Sequence, residues 1–211
     1  MTKKIMKTLA VAMCAVLLVA GSIAGTMAYL TDKTDAITNT FTAGKVEITL
    51  DEAKVNAYGQ PVDAEGNVVE LSVAPRVAAN EYKLIPGKTY TKDPTITVSA
   101  DSEDCYLFVK VENGIESIEA SGNTIASQLG VNGWTLVEGT TNIYWHDVVA
   151  ANTKVKVFEK FVVNSDSDSD DIKPLDGKTV VVTAYAVQTS DNFANAKAAW
   201  DATFGAPQNG Q

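Results

Sequence analysis

The sequence predicts an all-β protein: a jelly-roll-like antiparallel β-sandwich of about eight strands with one or two short helices. Three observations carry that reading. Polar and apolar residues alternate strictly in several short segments, as the two faces of a half-buried strand require. Turn-forming stretches separate these segments. Helical periodicity is scarce and strongest near the C-terminal end.

The elements follow in order. A short piece over Asn39 to Thr42 and the alternating Lys45-Val46-Glu47-Ile48-Thr49-Leu50 open the β pattern. Asp51 to Ala79 reads as a long loop, with turn signals at Tyr58-Gly59-Gln60-Pro61 and Ala64-Glu65-Gly66-Asn67; these also fit the flanks of a small hairpin through Val68 to Val73. Thr95 to Ala100 alternates after the Asp93-Pro94 turn. Cys105 to Val111 is apolar at odd positions, with Tyr106 and Phe108 on the other face. Trp134 to Val137, Asn142 to Val149, Lys154 to Val163 and Lys178 to Gln188 complete the strands. Val180 to Val187 is apolar on both faces, which predicts a central position.

The helix is expected over Asn192 to Phe204. Phe193, Ala196, Trp200 and Phe204 recur at helical spacing, Ser190 or Asp191 can cap the start, and Gly205 can end it. A second short helix is expected within Ile115 to Leu129. The tail, residues 206–211, is expected to be disordered.

The first 28 residues read as a signal peptide. Lys3, Lys4 and Lys7 precede an uncharged run from Thr8 to Ala24, and Thr26-Met27-Ala28 fits the small-x-small cleavage pattern. The run is shorter than the roughly 20 residues a spanning helix needs. Cleavage between Ala28 and Tyr29 would leave 183 of the 211 residues as one domain, 29–205, with its tail. Loss of the three lysines takes the net charge from −9 to −12. So acidic a surface repels nucleic acid and favours solubility. Only Cys105 remains after cleavage, so no intramolecular disulfide can form, and its strand pattern predicts a buried, inert thiol.

Catalytic motifs are missing. His146 is the only histidine, which excludes H-E-x-x-H and any multi-histidine metal site. There is no G-x-S-x-G elbow and no phosphate-binding glycine loop. The run Ser165 to Asp171 invites comparison with a calcium loop, since Asp166, Asp168 and Asp170 match positions 1, 3 and 5 of an EF-hand. Asp171 then stands where glycine is required and Gly177 where glutamate is required. The EF-hand match fails, and a looser calcium site on Asp166, Asp168, Asp170 and Asp171 stays open beside a solvated, self-repelling loop. No other cofactor is expected.

Gly25-Thr26-Met27-Ala28-Tyr29-Leu30-Thr31-Asp32 resembles the junction cleaved by SipW-type signal peptidases. Asn39 to Val46 resembles the N-x-F-x-x-G-x-[VL] entry to a first strand, Leu84-Ile85-Pro86-Gly87 an L-x-P-G turn, Tyr106 to Val111 a core strand, and Ala184-Tyr185-Ala186-Val187-Gln188 a late A-x-A-[IV]-Q strand. In this order the marks resemble the TasA/camelysin family of Gram-positive bacteria. That resemblance implies a jelly-roll sandwich, a SipW-type signal peptidase as export partner, and a place at the cell surface or in biofilm matrix fibres.

The expected function is that of a secreted structural protein, not an enzyme, which associates with itself or with matrix proteins. Strand donation is the expected route: Ile37, Asn39 and Phe41 share one face of a segment behind a polar leader, suited to a neighbour's open sheet edge. The alternatives are a camelysin-like metalloendopeptidase, for which the chain offers no zinc motif, and a monomeric surface binding module.

Overall fold

A computed structural model of the chain describes residues 31–34 and 45–205. Among these, the protein is built of antiparallel sheets with a few short helices. The sheet order is β1-β11-β6-β8-β7 in one, β3-β2-β5-β9 in a second and β10-β4 in a two-stranded third. The strands are β1 (Thr31–Thr34), β2 (Ile48–Ala53), β3 (Arg76–Val77), β4 (Thr89–Thr91), β5 (Thr95–Val98), β6 (Cys105–Asn113), β7 (Thr135–Leu136), β8 (Ile143–Val149), β9 (Lys154–Lys156), β10 (Lys160–Val162) and β11 (Val180–Gln188). The helices are α1 (Ile125–Val131), α2 (Ser169–Ile172) and α3 (Ala196–Phe204).

Eleven strands are described against seven of the expected eight, the eighth, Asn39 to Thr42, lying outside the described residues. The surplus arises from short pieces, such as two-residue β3, and from one division. Lys154 to Val163 is not one strand: β9 pairs with β5 while β10 pairs with β4. Val157 and Phe158 are consecutive and both fully buried, which a straight strand with alternating faces does not allow. The chain bends there and changes sheet, with Val157 N–H donating to Pro94 O at 2.8 Å.

The core follows from the alternation. Ile48, Ile96 and Val98 of one sheet share a cluster with Leu107, Val109, Ala184 and Ala186 of another. On their other face, β6 and β11 turn Tyr106, Phe108, Tyr185 and Val187 toward Ala196, Ala199 and Trp200 of α3. Both faces of β11 are therefore covered, which explains its unbroken apolar composition. Its nine residues pair with β6 along their whole length, Val180 opposite Asn113 through Gln188 opposite Cys105.

Helix α3 begins four residues later than the aromatic spacing implies. Asn195, not Ser190 or Asp191, is its cap, and its side chain accepts from Ala198 N–H at 2.9 Å. Phe193 lies before the helix and packs against the same cluster. Gly205 ends the helix at φ 87°, a conformation that suits glycine. The expected helix within Ile115 to Leu129 divides into a 3-10 turn, Glu116–Ile118, and α1, which Thr124 caps through Ser127 N–H. Within Asp51 to Ala79 the chain forms isolated bridges, Val55 with Pro61 and Val62 with Val68, then a 3-10 turn at Leu71–Val73.

Candidate functional site

Two features of the described residues carry functional argument: the outer edge of β11 and a buried polar cluster on β2. At the edge, β1 runs antiparallel to β11, with Thr31 opposite Val187, Asp32 opposite Ala186, Lys33 opposite Tyr185 and Thr34 opposite Ala184. β1 covers only that half of β11. No described strand lies beside Val180 to Thr183 on the side away from β6. Val181 of this half is 38% exposed.

The polar cluster lies under the excursion that leaves β2 and returns through β4. Glu52 and Asp93 are each only 4% exposed. Lys92 Nζ lies 2.7 Å from Glu52 Oε2, and Asn80 Nδ2 donates to Glu52 Oε1 at 2.9 Å. Asp93 Oδ1 accepts from Ala53 N–H at 2.7 Å, and its Oδ2 lies 2.6 Å from Arg76 Nη1. Arg76 Nε also reaches Asp51 Oδ1 at 2.8 Å. Burial works against the Arg76 charge, but the two carboxylates outweigh it and its pKa is raised. The buried charges are thus paired and hydrogen-bonded, as desolvation demands. Sequence reading missed this cluster, because its members are far apart in the chain and follow no motif spacing. Glu52 itself lies past Leu50, where the expected strand ended, because the strand runs on to Ala53.

Glu119 is a third buried carboxylate that the sequence did not reveal. Its oxygens accept from Ile125 N–H at 2.8 Å and from Asn113 Nδ2 at 2.9 Å, so it fixes the start of α1. Burial pushes its pKa up, against the pull of those two donors.

The sequence-predicted residues fall as follows. Ala28, Tyr29, Ile37, Asn39 and Phe41 lie outside the described residues, as does the tail. Asp166, Asp168, Asp170 and Asp171 are all exposed. Asp168 caps α2 by accepting from Asp170 N–H and Asp171 N–H, and Asp171 Oδ2 accepts from Asp168 N–H at 3.0 Å. Two of the four carboxylates thus serve the helix start. Among the described residues, no group of three or more His, Cys, Asp or Glu side chains is gathered to hold a metal ion. His146 stands on β8 with its ring edge-on to Trp134, centroids 5.2 Å apart, and its Nδ1 is 3.1 Å from Asp147 O. Cys105 is buried and free, and burial with the nearby Asp104 charge pushes its thiol to about 12.

Compared with models of protein families, with curated proteins and with solved structures, the chain finds no match. No described helix is long and apolar enough to cross a membrane. The functional reading therefore rests on geometry and on the sequence marks.

Proposed function

We propose that this is a secreted structural protein of the cell surface or biofilm matrix, a jelly-roll β-sandwich of TasA/camelysin type that assembles by strand donation. The supporting observation is the pairing of β1 with β11. Thr31–Thr34, just beyond the expected cleavage junction, pairs with Ala184 to Val187 and leaves Val180 to Thr183 without a described neighbour on that side. A donor segment continuing in that register sets Ile37 opposite Val181. Paired residues of an antiparallel ladder share a face, so Ile37 would cover the exposed Val181 side chain. A strand donated by a neighbour in this register would make a head-to-tail contact, and such contacts propagate into filaments.

The same pairing within one chain gives the second reading, a monomer whose N-terminal strand closes its own sheet. Electron microscopy of the processed protein, with and without residues 29–43, separates the two. Strand donation requires filaments from the full protein, none from the truncated one, and binding of a peptide of residues 29–43 to the truncated core. Filaments that persist after truncation, or a full protein that stays monomeric at high concentration across pH, rule it out.

A further inference from the structure

The contacts of Glu52 do more than pair a charge. Its buried carboxylate holds a primary amine on one oxygen, Lys92 Nζ at 2.7 Å from Oε2, and a carboxamide on the other, Asn80 Nδ2 at 2.9 Å from Oε1. The amide is fixed in orientation. Asn80 Oδ1 accepts from Val55 N–H at 2.8 Å, and Nδ2 also donates to Ala53 O at 2.9 Å. The Tyr82 ring flanks the amine, 5.8 Å from Nζ to its centroid. A nucleophile, a proton carrier, an electrophile and a donor on the electrophile's oxygen stand together around a carboxylate only 4% exposed.

We propose that Lys92 and Asn80 become joined by an intramolecular amide bond, formed by the protein itself with Glu52 as the proton carrier. Glu52 Oε2 takes a proton from the Lys92 ammonium and frees the amine lone pair. Nζ attacks Cγ of Asn80, and the negative charge that develops on Oδ1 is met by Val55 N–H, as in an oxyanion hole. The protonated Glu52 delivers its proton to Nδ2, which already rests on Oε1. The Cγ–Nδ2 bond breaks and ammonia leaves. Glu52 then removes the surplus proton from the new amide nitrogen and hands it to the departing ammonia. One ammonium side chain and one carboxamide give a secondary amide and one ammonium ion, with Glu52 restored and no outside reactant. Both groups already touch one carboxylate, and reaction requires Nζ to come within about 3–3.5 Å of Cγ. The product closes the chain from Asn80 to Lys92 over β2. It supplies a covalent tie to a fold whose one described cysteine is free.

The test is intact-mass measurement on the purified, folded, full protein, denatured only for analysis. The expected mass is one ammonia below that of the processed sequence. Digestion should yield a branched peptide that joins Lys92 to Asn80 and resists trypsin after Lys92. Glu52→Gln and Lys92→Arg should each restore the full mass while circular dichroism still reports the β fold. Full mass persisting in folded wild-type protein overturns the proposal, whatever the variants do. So does an ammonia loss that maps to a linear peptide, which would mark a succinimide, or one that survives in folded Glu52→Gln protein.

Discussion

Arg76 reaches from the short strand β3 to Asp93, Nη1 to Oδ2 at 2.6 Å, and so ties the middle of the long excursion to the turn that enters β5. Asp93 is 4% exposed and also receives Ala53 N–H, so removal of the guanidinium leaves a buried carboxylate with one donor fewer. Breaking a fully buried pair costs about 3–5 kcal/mol. Arg76 is about a third exposed, so solvent screening discounts that figure. Arg76→Ala should therefore destabilise by about 2–3 kcal/mol in urea unfolding. A loss below about 0.5 kcal/mol, the range of ordinary surface changes, would show that the pair does not hold the excursion.

Trp200 joins α3 to the sheet. Its ring lies 5.0 Å from Phe108, 5.7 Å from Tyr185 and 4.3 Å from Phe204, centroid to centroid. Trp200→Ala should cost about 3–5 kcal/mol. A near-neutral result would mean that the helix contributes little to the fold.

Gly59 lies against Tyr90. Its φ is 73°, and a Cβ there would stand 2.7 Å from Tyr90 Cα, a backbone atom that cannot swing away. Gly59→Ala adds the cost of an unsuitable φ to that clash, so the loss should exceed about 1 kcal/mol. Thermal unfolding checks it, and an unchanged midpoint would refute the close approach.

The aromatic spacing and the strict alternation were legible because each is local. Cys105 to Val111, Asn142 to Val149 and Lys178 to Gln188 match β6, β8 and β11 closely, since each segment's faces are fixed by its own residues. The division of Lys154 to Val163 was not legible: an apolar pair such as Val157-Phe158 reads equally well as a strand interior until both sheets are known. The start of α3 was missed for a related reason. Phe193 fits the helical stripe, but Asn195 wins the cap and leaves Phe193 to pack from a turn. The Glu52 cluster depends on a fold that brings distant loops together, and no local pattern encodes that.

Cys105 gives a pH signature. Burial first, then the Asp104 charge, raises its thiol to about 12, whereas an unfolded thiol ionises near about 8.5. The folded state favours the protonated form, so the contribution is intact below about pH 8.5 and is lost as pH rises from there toward about 12. Stability measured along that range should fall more steeply for wild type than for Cys105→Ala. The native thiol should also resist labelling until the protein is denatured. Rapid labelling of folded protein, or equal alkaline slopes, would contradict the buried placement.

Val181 tests the edge. Its side chain is 38% exposed on β11, beside the half of that strand which β1 leaves without a described partner. Lysine there keeps its aliphatic stem on the sheet and sets its charge in water, so folding stability should change by no more than about 0.5 kcal/mol. A charge on an open edge is also a means by which proteins prevent strand addition. If a neighbour's N-terminal segment seats on this edge with Ile37 against Val181, then Val181→Lys should raise the critical concentration for filament assembly, with the monomer still folded. Light scattering against concentration, with circular dichroism as the folding control, gives the readout. A folded Val181→Lys protein that assembles like wild type would remove this edge from the assembly contact, and the closed monomer would then account better for the pairing of β1 with β11.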